Sequence, residues 1–249
     1  MSGHSKWATI KHKKGAADAK RGKLFGKLIR QVEVAARAGG ADLEMNPSLR
    51  TMYQKARSAS VPLDTIEKAI KRATGDMEGV IYEAITYEGY APNGVAILIE
   101  VLTDNRNRTG SEVRTALKKH GGSIAEPGAV AWQFERKGVV MVPSSVDEDD
   151  IMVAALDAGL EDIVSEGDTW RVTSAPSDVH AVEDALVAAG ITVDSADTTM
   201  LPTSTVPLDT PEAAKQVLRV IDALEEDDDV QDVYANFDIP DSVMDAIEL

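Results

Sequence analysis

The order of predicted elements in the C-terminal half is the feature that most restricts the possible folds. Apolar alternation and helical periodicity predict a strand, a helix, a hairpin, a second helix and a last strand. These elements cover residues 139–142, 147–158, 163–166 with 169–173, 177–189 and 191–201. The order is βαββαβ, which is typical of a ferredoxin-like domain. We therefore predict such a domain over residues 138–202.

The segments on either side of this unit predict a second α/β domain that is split along the chain. The upstream elements are strands at 81–90 and 95–102, a helix at 109–120 and a strand at 129–135. This block lacks a closing helix and strand, which the patterns at 210–226 and 230–239 supply. The predicted fold class is α+β. Residues 79–137 and 203–249 form one α/β domain, and the ferredoxin-like domain is inserted in it.

Amphipathic helices predict a third domain at the N-terminus, residues 1–78. The first helix covers 16–38, the second begins at Asn46, and the third begins at Asp64. Capping-box spacing marks two helix starts in the chain, Asp64 with Glu67 and Thr109 with Glu112. Three amphipathic helices with short connections indicate a small helical bundle.

Charge is divided unevenly between the two ends of the chain. Residues 1–72 hold 16 Lys and Arg against 6 Asp and Glu, a net +10, whereas residues 73–249 hold 10 against 36, a net −26. An asymmetry of this size indicates a nucleic-acid or membrane contact at the basic end. The acidic remainder repels nucleic acid, so we expect the contact to be confined to the N-terminal domain. The acidic domains are then candidates for contact with a protein partner.

The first helix has an apolar face and a cationic face. Its apolar residues span an arc of about 140°, and its cations span about 100° on the opposite side. We call these cations, Lys20, Lys23, Lys27, Arg30 and Arg37, the cationic ridge. A helix face that simply points into solvent has the same pattern. However, the ridge follows a basic N-terminal arm, residues 2–15, and few acids lie beside it, which favours phosphate binding. The predicted nucleic-acid-binding residues are Lys6, Lys11, His12, Lys13, Lys14, Lys20, Arg21, Lys23, Lys27 and Arg30.

A second candidate anion site lies just before the helix predicted at 109–120. Arg106 and Arg108 stand in the run 105–109, where backbone N–H groups of a helix start and two guanidinium groups favour an anion. The alternative is a turn in which Asn and Thr cap the helix while the arginines pair with neighbouring acids. The sequence leaves both interpretations open.

Residue types exclude several kinds of chemistry. The chain has no cysteine, which excludes disulfides, thiolate metal sites and a cysteine nucleophile. Its four histidines show no metal-ligand spacing, and no phosphate-binding loop, dinucleotide motif or serine elbow is present. The acidic run, residues 225–229, lacks the spacing of a calcium loop and is typical of a solvated helix end. We expect no metal, no cofactor, no enzymatic activity, no membrane contact and a cytoplasmic location.

Several motifs resemble the YebC/PmpR family, and the resemblance covers essentially the whole chain. They are Ser2-Gly3-His4-Ser5-Lys6-Trp7, the runs 10–15 and 18–25, Thr103-Asp104-Asn105-Arg106-Asn107-Arg108-Thr109, and Trp132-Gln133-Phe134 within 128–137. The resemblance implies a three-domain cytoplasmic bacterial protein that acts as a DNA-binding transcriptional regulator. The same family includes the mitochondrial translational activator of cytochrome c oxidase and ribosome-associated translation factors. The resemblance therefore leaves open whether the nucleic acid is DNA, or rRNA or tRNA on the ribosome.

Phosphate binding by the basic domain predicts a strong dependence of affinity on salt. If about six cations contact duplex DNA, the logarithm of the association constant falls against the logarithm of salt concentration with a slope of about −5, because each neutralised phosphate releases counterions. Fluorescence anisotropy titrations at several salt concentrations measure this slope. A slope near zero would exclude the phosphate contact.

Overall fold

The computed structural model describes residues 18–75 and 80–247, and its N-terminal part is a three-helix bundle. The helices are α1, Asp18–Gly39, α2, Pro47–Ser58, and α3, Leu63–Thr74. Both α2 and α3 pack against α1 around a core that includes Leu28, Val32, Leu49, Ala56 and Ile66, all at most 3% exposed. Among the described helices, none is both long enough and apolar enough to cross a membrane.

Asn46 joins the end of α1 to the start of α2, as its predicted position at a helix start implies. Its buried side-chain amide donates to the carbonyl oxygens of Ala35 and Gly40 at 2.9 Å, and its Oδ1 accepts from the N–H of Leu49 at 3.0 Å. The side chain thereby satisfies groups that both helix ends leave without intrahelical partners.

The two predicted capping boxes are wrong. Helix α3 begins at Leu63, and Pro62 occupies the cap position without a side-chain hydrogen bond. The helix α4, Arg106–Lys119, begins three residues earlier than expected because Asn105 caps it by accepting from the N–H of Arg108. Thr109 lies inside α4 instead of at its cap.

The split α/β domain has a four-stranded antiparallel sheet. Strands β1, Glu83–Tyr90, and β2, Ala96–Thr103, are joined by a turn in which Asn93 and Gly94 have φ of 65° and 75°. Helix α4 leads to the short strand β3, Ser123–Ile124. The sheet order is β3-β1-β2-β9, in which β9, Val230–Ala235, comes from beyond the inserted domain. Ile97 pairs with Ala235 and Ile99 with Val233, so the two halves of the domain share one sheet.

The inserted domain has the predicted ferredoxin-like order. Its elements are β4, Phe134–Pro143, α5, Glu148–Ala155, β5, Leu160–Glu166, β6, Thr169–Ser174, α6, Val179–Ala188, and β7, Ser195–Pro202. The sheet order β5-β6-β4-β7 is antiparallel throughout. These sheets confirm the α+β class and the insertion of one α/β domain in another.

The strand predicted at 129–135 is wrong, because the backbone there is held by a side chain. The carboxylate of Glu88 accepts from the N–H groups of Gly128, Val130 and Ala131 at 2.6 to 2.9 Å. These amides cannot also donate to a strand ladder. A short 3-10 turn follows at Ala131–Gln133, and β4 begins directly after it.

After β7 the chain completes the split domain. This last part of the chain contains strand β8 (Val206–Pro207), helix α7 (Pro211–Glu225), strand β9, strand β10 (Phe237–Asp238) and helix α8 (Asp241–Ala246). Strands β8 and β10 pair in parallel. Helices α4 and α7 cover one face of the split sheet, and their apolar residues form the largest core.

Apolar contact joins the two α/β domains. Leu98 and Tyr234 on the second face of the split sheet pack with Val130 and Phe134, and Met200 of β7 lies against this cluster. Within the described ranges, no cluster of buried apolar residues contains members from both the bundle and the α/β domains. Polar contacts, described below, link the bundle to the split domain and to β7.

Replacement of Asn46 tests its role in the bundle. Asn46→Ala should lower the free energy of unfolding by about 2 kcal/mol, because it removes the cap of α2 and the two hydrogen bonds that tie this helix start to the end of α1. Urea denaturation followed by circular dichroism measures the change. Gln54→Ala, at an exposed position on α2, is the matched control and should be close to neutral. Equal losses in the two variants would contradict the role of Asn46.

Candidate nucleic-acid interface

The structure describes part of the predicted nucleic-acid-binding set. Lys6, Lys11, His12, Lys13 and Lys14 lie outside the described residues, as do the side chains of Lys20 and Arg21. Those described are Lys23, Lys27 and Arg30 on α1. The predicted apolar face of this helix is confirmed for Leu28, Val32 and Ala36, which are buried, but not for Leu24, which is 45% exposed.

Three described cations of the ridge contact the end of helix α7 and the acidic run, whereas the fourth, Arg37, donates to the carbonyl oxygen of Val80 at 2.7 Å. Lys23 donates through Nζ to the carbonyl oxygen of Glu226, and Lys27 donates to that of Glu225, both at 2.8 Å. Arg30 donates to the carbonyl oxygen of Asp228 at 2.9 Å. The last carbonyls of a helix lack intrahelical partners and carry partial negative charge, so cations stabilise this end. The expected solvated helix end is thus partly covered by α1.

A buried carboxylate lies where these elements meet. Asp229, whose side chain is 7% exposed, accepts through Oδ1 from Arg30 at 2.7 Å. Its Oδ2 accepts from Arg108 and Thr109 at 2.6 Å and from Thr103 at 3.0 Å. Burial alone would raise the pKa of Asp229, but hydrogen bonds from these four side chains lower it to about 2.

Arg30 has no room for another large ligand in this arrangement. It donates to the carbonyl oxygen of Leu102 at 2.8 Å, besides Asp228 and Asp229, and its guanidinium lies 4.9 Å from the ring centre of Tyr82. Its side chain is 18% exposed. A phosphate group reaches Arg30 only if some of these contacts are replaced.

The second candidate anion site has acids beside both arginines. Arg106 pairs with Glu83 at 3.3 Å, and Arg108 pairs with Asp104 at 2.9 Å and with Asp229 at 2.6 Å. The hydrogen bonds that Arg108 donates to Asp229 and Asp104 raise its pKa. These ion pairs and the Asn105 cap are the contacts expected if residues 105–109 form a turn that caps the helix and pairs its arginines with neighbouring acids.

Lys55 gives the bundle a second polar contact with the rest of the chain. Its Nζ lies 2.8 Å from a carboxylate oxygen of Asp197 on β7. Burial would lower the pKa of Lys55, but Asp197 and Asp232 raise it overall. No sequence pattern indicates this pair, because Lys55 and Asp197 are more than a hundred positions apart.

Three acids lie close enough to suggest a cation site. Ligand oxygens of Glu112, Asp227 and Asp229 all lie within 4.8 Å of one another. Burial and the nearby Asp227 raise the pKa of Glu112. Both oxygens of Asp229 already accept from arginine or threonine, so this cluster is neutralised by protein cations and gives no support for a metal.

Asn substitution at Asp229 tests the network through its pH dependence. The folded-state pKa of Asp229 lies below the ordinary value, so the carboxylate stabilises the fold above pH 4 and loses this effect as the pH falls towards 2. Asp229→Asn should lower the free energy of unfolding by about 2 kcal/mol or more at pH 7. The difference from the wild type should fall to roughly half by pH 3.

Denaturant titrations between pH 7 and pH 3 measure this difference. Asp228→Asn is the matched control, since Asp228 is exposed and contacts Arg30 through its backbone carbonyl, which the substitution retains. A difference between Asp229→Asn and wild type that stays constant down to pH 3 would contradict the depressed pKa.

Comparison with known proteins supplies family membership. Residues 5–76 match the model of the TACO1/YebC protein N-terminal domain, and residues 82–237 match that of the TACO1/YebC second and third domain. A crystal structure of a conserved hypothetical protein from Aquifex aeolicus superposes with a TM-score of 0.79 at 44% identity, covering 90% of this chain and 93% of that one.

Curated relatives match along the whole chain. A protein of Rubrobacter xylanophilus is 58% identical over 246 residues, 98% of either chain, and one of Streptomyces coelicolor is 54% identical over 250 residues, 100% of either chain. Both carry the name "probable transcriptional regulatory protein". The resemblance noted in the motifs is thereby confirmed, and the chain belongs to the TACO1/YebC family.

Proposed function

We propose that this chain is a non-enzymatic, cytoplasmic transcriptional regulator that binds DNA through its basic N-terminal domain. The names of the close relatives support a regulatory role. The net charge of +10 in residues 1–72 supports a nucleic-acid contact in that domain. The proposed contacts are made by Lys6, Lys11, His12, Lys13, Lys14, Lys20, Arg21, Lys23, Lys27 and Arg30.

The proposal rests on one observation, which is that the ridge donates hydrogen bonds to a row of oxygen atoms. Lys23, Lys27 and Arg30 lie on one side of α1 and each donates to an oxygen of the acidic run at 2.7 to 2.9 Å. Side chains at this helical spacing are neighbours on the surface, so a continuous chain of acceptors fits them. A phosphate backbone is such a chain, and it carries full negative charges.

The acidic domains limit where nucleic acid binds. Residues 73–249 carry a net −26, which repels phosphate and confines the contact to the bundle and the basic segment before it. The same surface suits a basic protein partner. Binding of this kind gives affinity without base readout, so specificity for a promoter then comes from DNA shape or from the protein partner.

A second candidate function is an RNA-binding or ribosome-binding translation factor. Lys23, Lys27 and Arg30 of α1 donate to carbonyl and carboxylate oxygens, and the same donors suit the phosphate oxygens of an RNA backbone. Shaped RNA is recognised through its backbone and form, without sequence readout in a groove. Arg57 and Lys71, exposed cations on α2 and α3, extend the basic surface that such an RNA would meet.

Crosslinking in living cells separates the two candidates. The tagged full chain is crosslinked by ultraviolet light, purified under denaturing conditions, and the attached nucleic acid is sequenced. Enrichment of promoter DNA is expected for the transcriptional regulator. Reads concentrated on rRNA or tRNA would replace it by the translation factor, and no enrichment of either would remove both.

Neutralising the basic arm should weaken DNA binding and reduce its salt dependence. The variant carries Gln at Lys6, Lys11, Lys13 and Lys14. If all four contact phosphate, the slope of log affinity against log salt becomes less negative by about 3 to 4, since each contact contributes about 0.9. Fluorescence anisotropy with a labelled duplex measures the slope.

A control variant removes the same number of charges elsewhere. It carries Gln at Arg114, Lys118, Lys119 and Arg219, which are exposed on α4 and α7. Its net charge equals that of the arm variant, but its slope should stay close to that of the wild type. An equal change in both variants would show that binding follows net charge and is not localised to the N-terminal domain.

A further inference from the structure

The contact between the bundle and the α/β domains differs in kind from the contacts inside each of them. In the described ranges, the residues that hold the two together are charged side chains, backbone carbonyls and the ring of Tyr82. Each side of the contact has its own hydrophobic core. The contacts of the exposed Lys23 and the half-buried Lys27 are weakened by salt, as ionic contacts at a protein surface are. The pair of Arg30 with the buried Asp229 is stronger, and Arg30 leaves it only when another anion takes the place of the carboxylate. The bundle is thus attached through cations that a stronger polyanion can take over.

The acidic run presents a row of hydrogen-bond acceptors to α1, as a short polyanion would. It presents the carbonyl oxygens of Glu225, Glu226 and Asp228 in succession, and then the carboxylate of Asp229. Five consecutive carboxylates surround these acceptors. Lys23 and Lys27 each meet one of these oxygens, and Nη1 of Arg30 meets the other two, so the three cations are spread along the run, as they would be along consecutive phosphates.

Access to the ridge is graded along α1. Lys23 is exposed, Lys27 is half-buried, and Arg30 is 18% exposed with three oxygen acceptors. These three residues are among those to which the proposed function assigns phosphate contacts. They cannot give all of their donors to the acidic run and to a nucleic acid at the same time.

We propose that the acidic run is an internal ligand of the nucleic-acid site. The structure is the closed form, in which residues 225–229 occupy Lys23, Lys27 and Arg30, and nucleic acid binds by displacing them. This inference rests on the proposed function, since it concerns regulation of the same site. Nucleic acid that binds only weakly is then excluded, because it does not displace the acidic run from the ridge.

Asp229 also has donors that do not belong to the bundle. Arg108 and Thr109 lie at 2.6 Å and Thr103 at 3.0 Å from its Oδ2, and all three are residues of the split domain. The carboxylate is therefore not left without a donor if α1 moves away, which lowers the cost of releasing Arg30.

A reversible crosslink between the bundle and the run tests the proposal. The chain has no cysteine, so Gly26→Cys with Asp228→Cys introduces a single pair. Gly26 lies on the ridge side of α1, where an added side chain has open space within 4 Å, and Asp228 is exposed. All ridge cations and the Asp228 carbonyl are retained. A short, thiol-cleavable bismaleimide linker joins the two cysteines.

The locked protein should bind a labelled DNA duplex at least tenfold more weakly than the same protein after cleavage of the linker. Each single-cysteine variant, capped with a monofunctional maleimide, is the control for steric blocking and should bind like the wild type. Unchanged affinity in the locked protein would overturn the internal-ligand proposal while leaving nucleic-acid binding intact. If the uncrosslinked wild type bound neither DNA nor RNA, the proposed function itself would fail, and this inference with it.

A second experiment separates a specific internal ligand from general repulsion. One variant carries Asn at Asp229, which removes the carboxylate through which the run pairs with Arg30, and the control carries Asn at Asp228, whose contact with Arg30 is made by the backbone carbonyl and is retained. Both variants have the same net charge, and binding is measured at a temperature at which circular dichroism shows both to be folded. The first should bind the duplex about tenfold more tightly than the control. Equal affinities would show that only net charge matters and would contradict the proposal.

Discussion

The carboxylate of Asp229 is the interaction on which the relative placement of the domains depends. It is buried and negatively charged, so it requires donors, and these come from α1, from the end of β2 and from the start of α4. Its backbone also accepts from the N–H of Leu102, which fixes the start of β9 beside β2. One residue thus joins the bundle, both halves of the split domain and the acidic run.

Most of the fold follows from local patterns that the sequence displays directly. The ferredoxin-like order, the split domain and the three N-terminal helices depend on periodicity, which burial imposes on each element separately. Errors at the helix starts are local, since Pro62 and Asn105 occupy the cap positions of α3 and α4. Other differences involve side chains from distant elements. Glu88 takes the amides of 128–131 and turns a predicted strand into a loop, and the hydroxyl of Thr109 is used by Asp229 instead of capping α4.

The site was less predictable than the fold, for a physical reason. Helical phasing locates the ridge because its residues are close in sequence, but the acceptors of Lys23 and Lys27 are about two hundred positions away. Moreover, every residue has a backbone carbonyl, so residue types do not indicate which carbonyls accept hydrogen bonds from the ridge. The acidic run carried one sequence signal, its charge, which complements the ridge. The pairing between the two needed the three-dimensional structure.

The insertion of one domain in another has a consequence for biosynthesis. A chain is made from its N-terminus, so β1, β2 and α4 leave the ribosome well before α7 and β9 exist. The inserted sheet contains only residues between Phe134 and Pro202 and can close on its own. The split sheet lacks its edge strand until Ala235 is made, and until then the apolar residues of β2 have no partner strand on that side. The nascent chain therefore passes through a stage with two finished domains and one unfinished domain between them. During that stage the ridge is already present, and the residues that occupy it in the finished protein have not yet been synthesised.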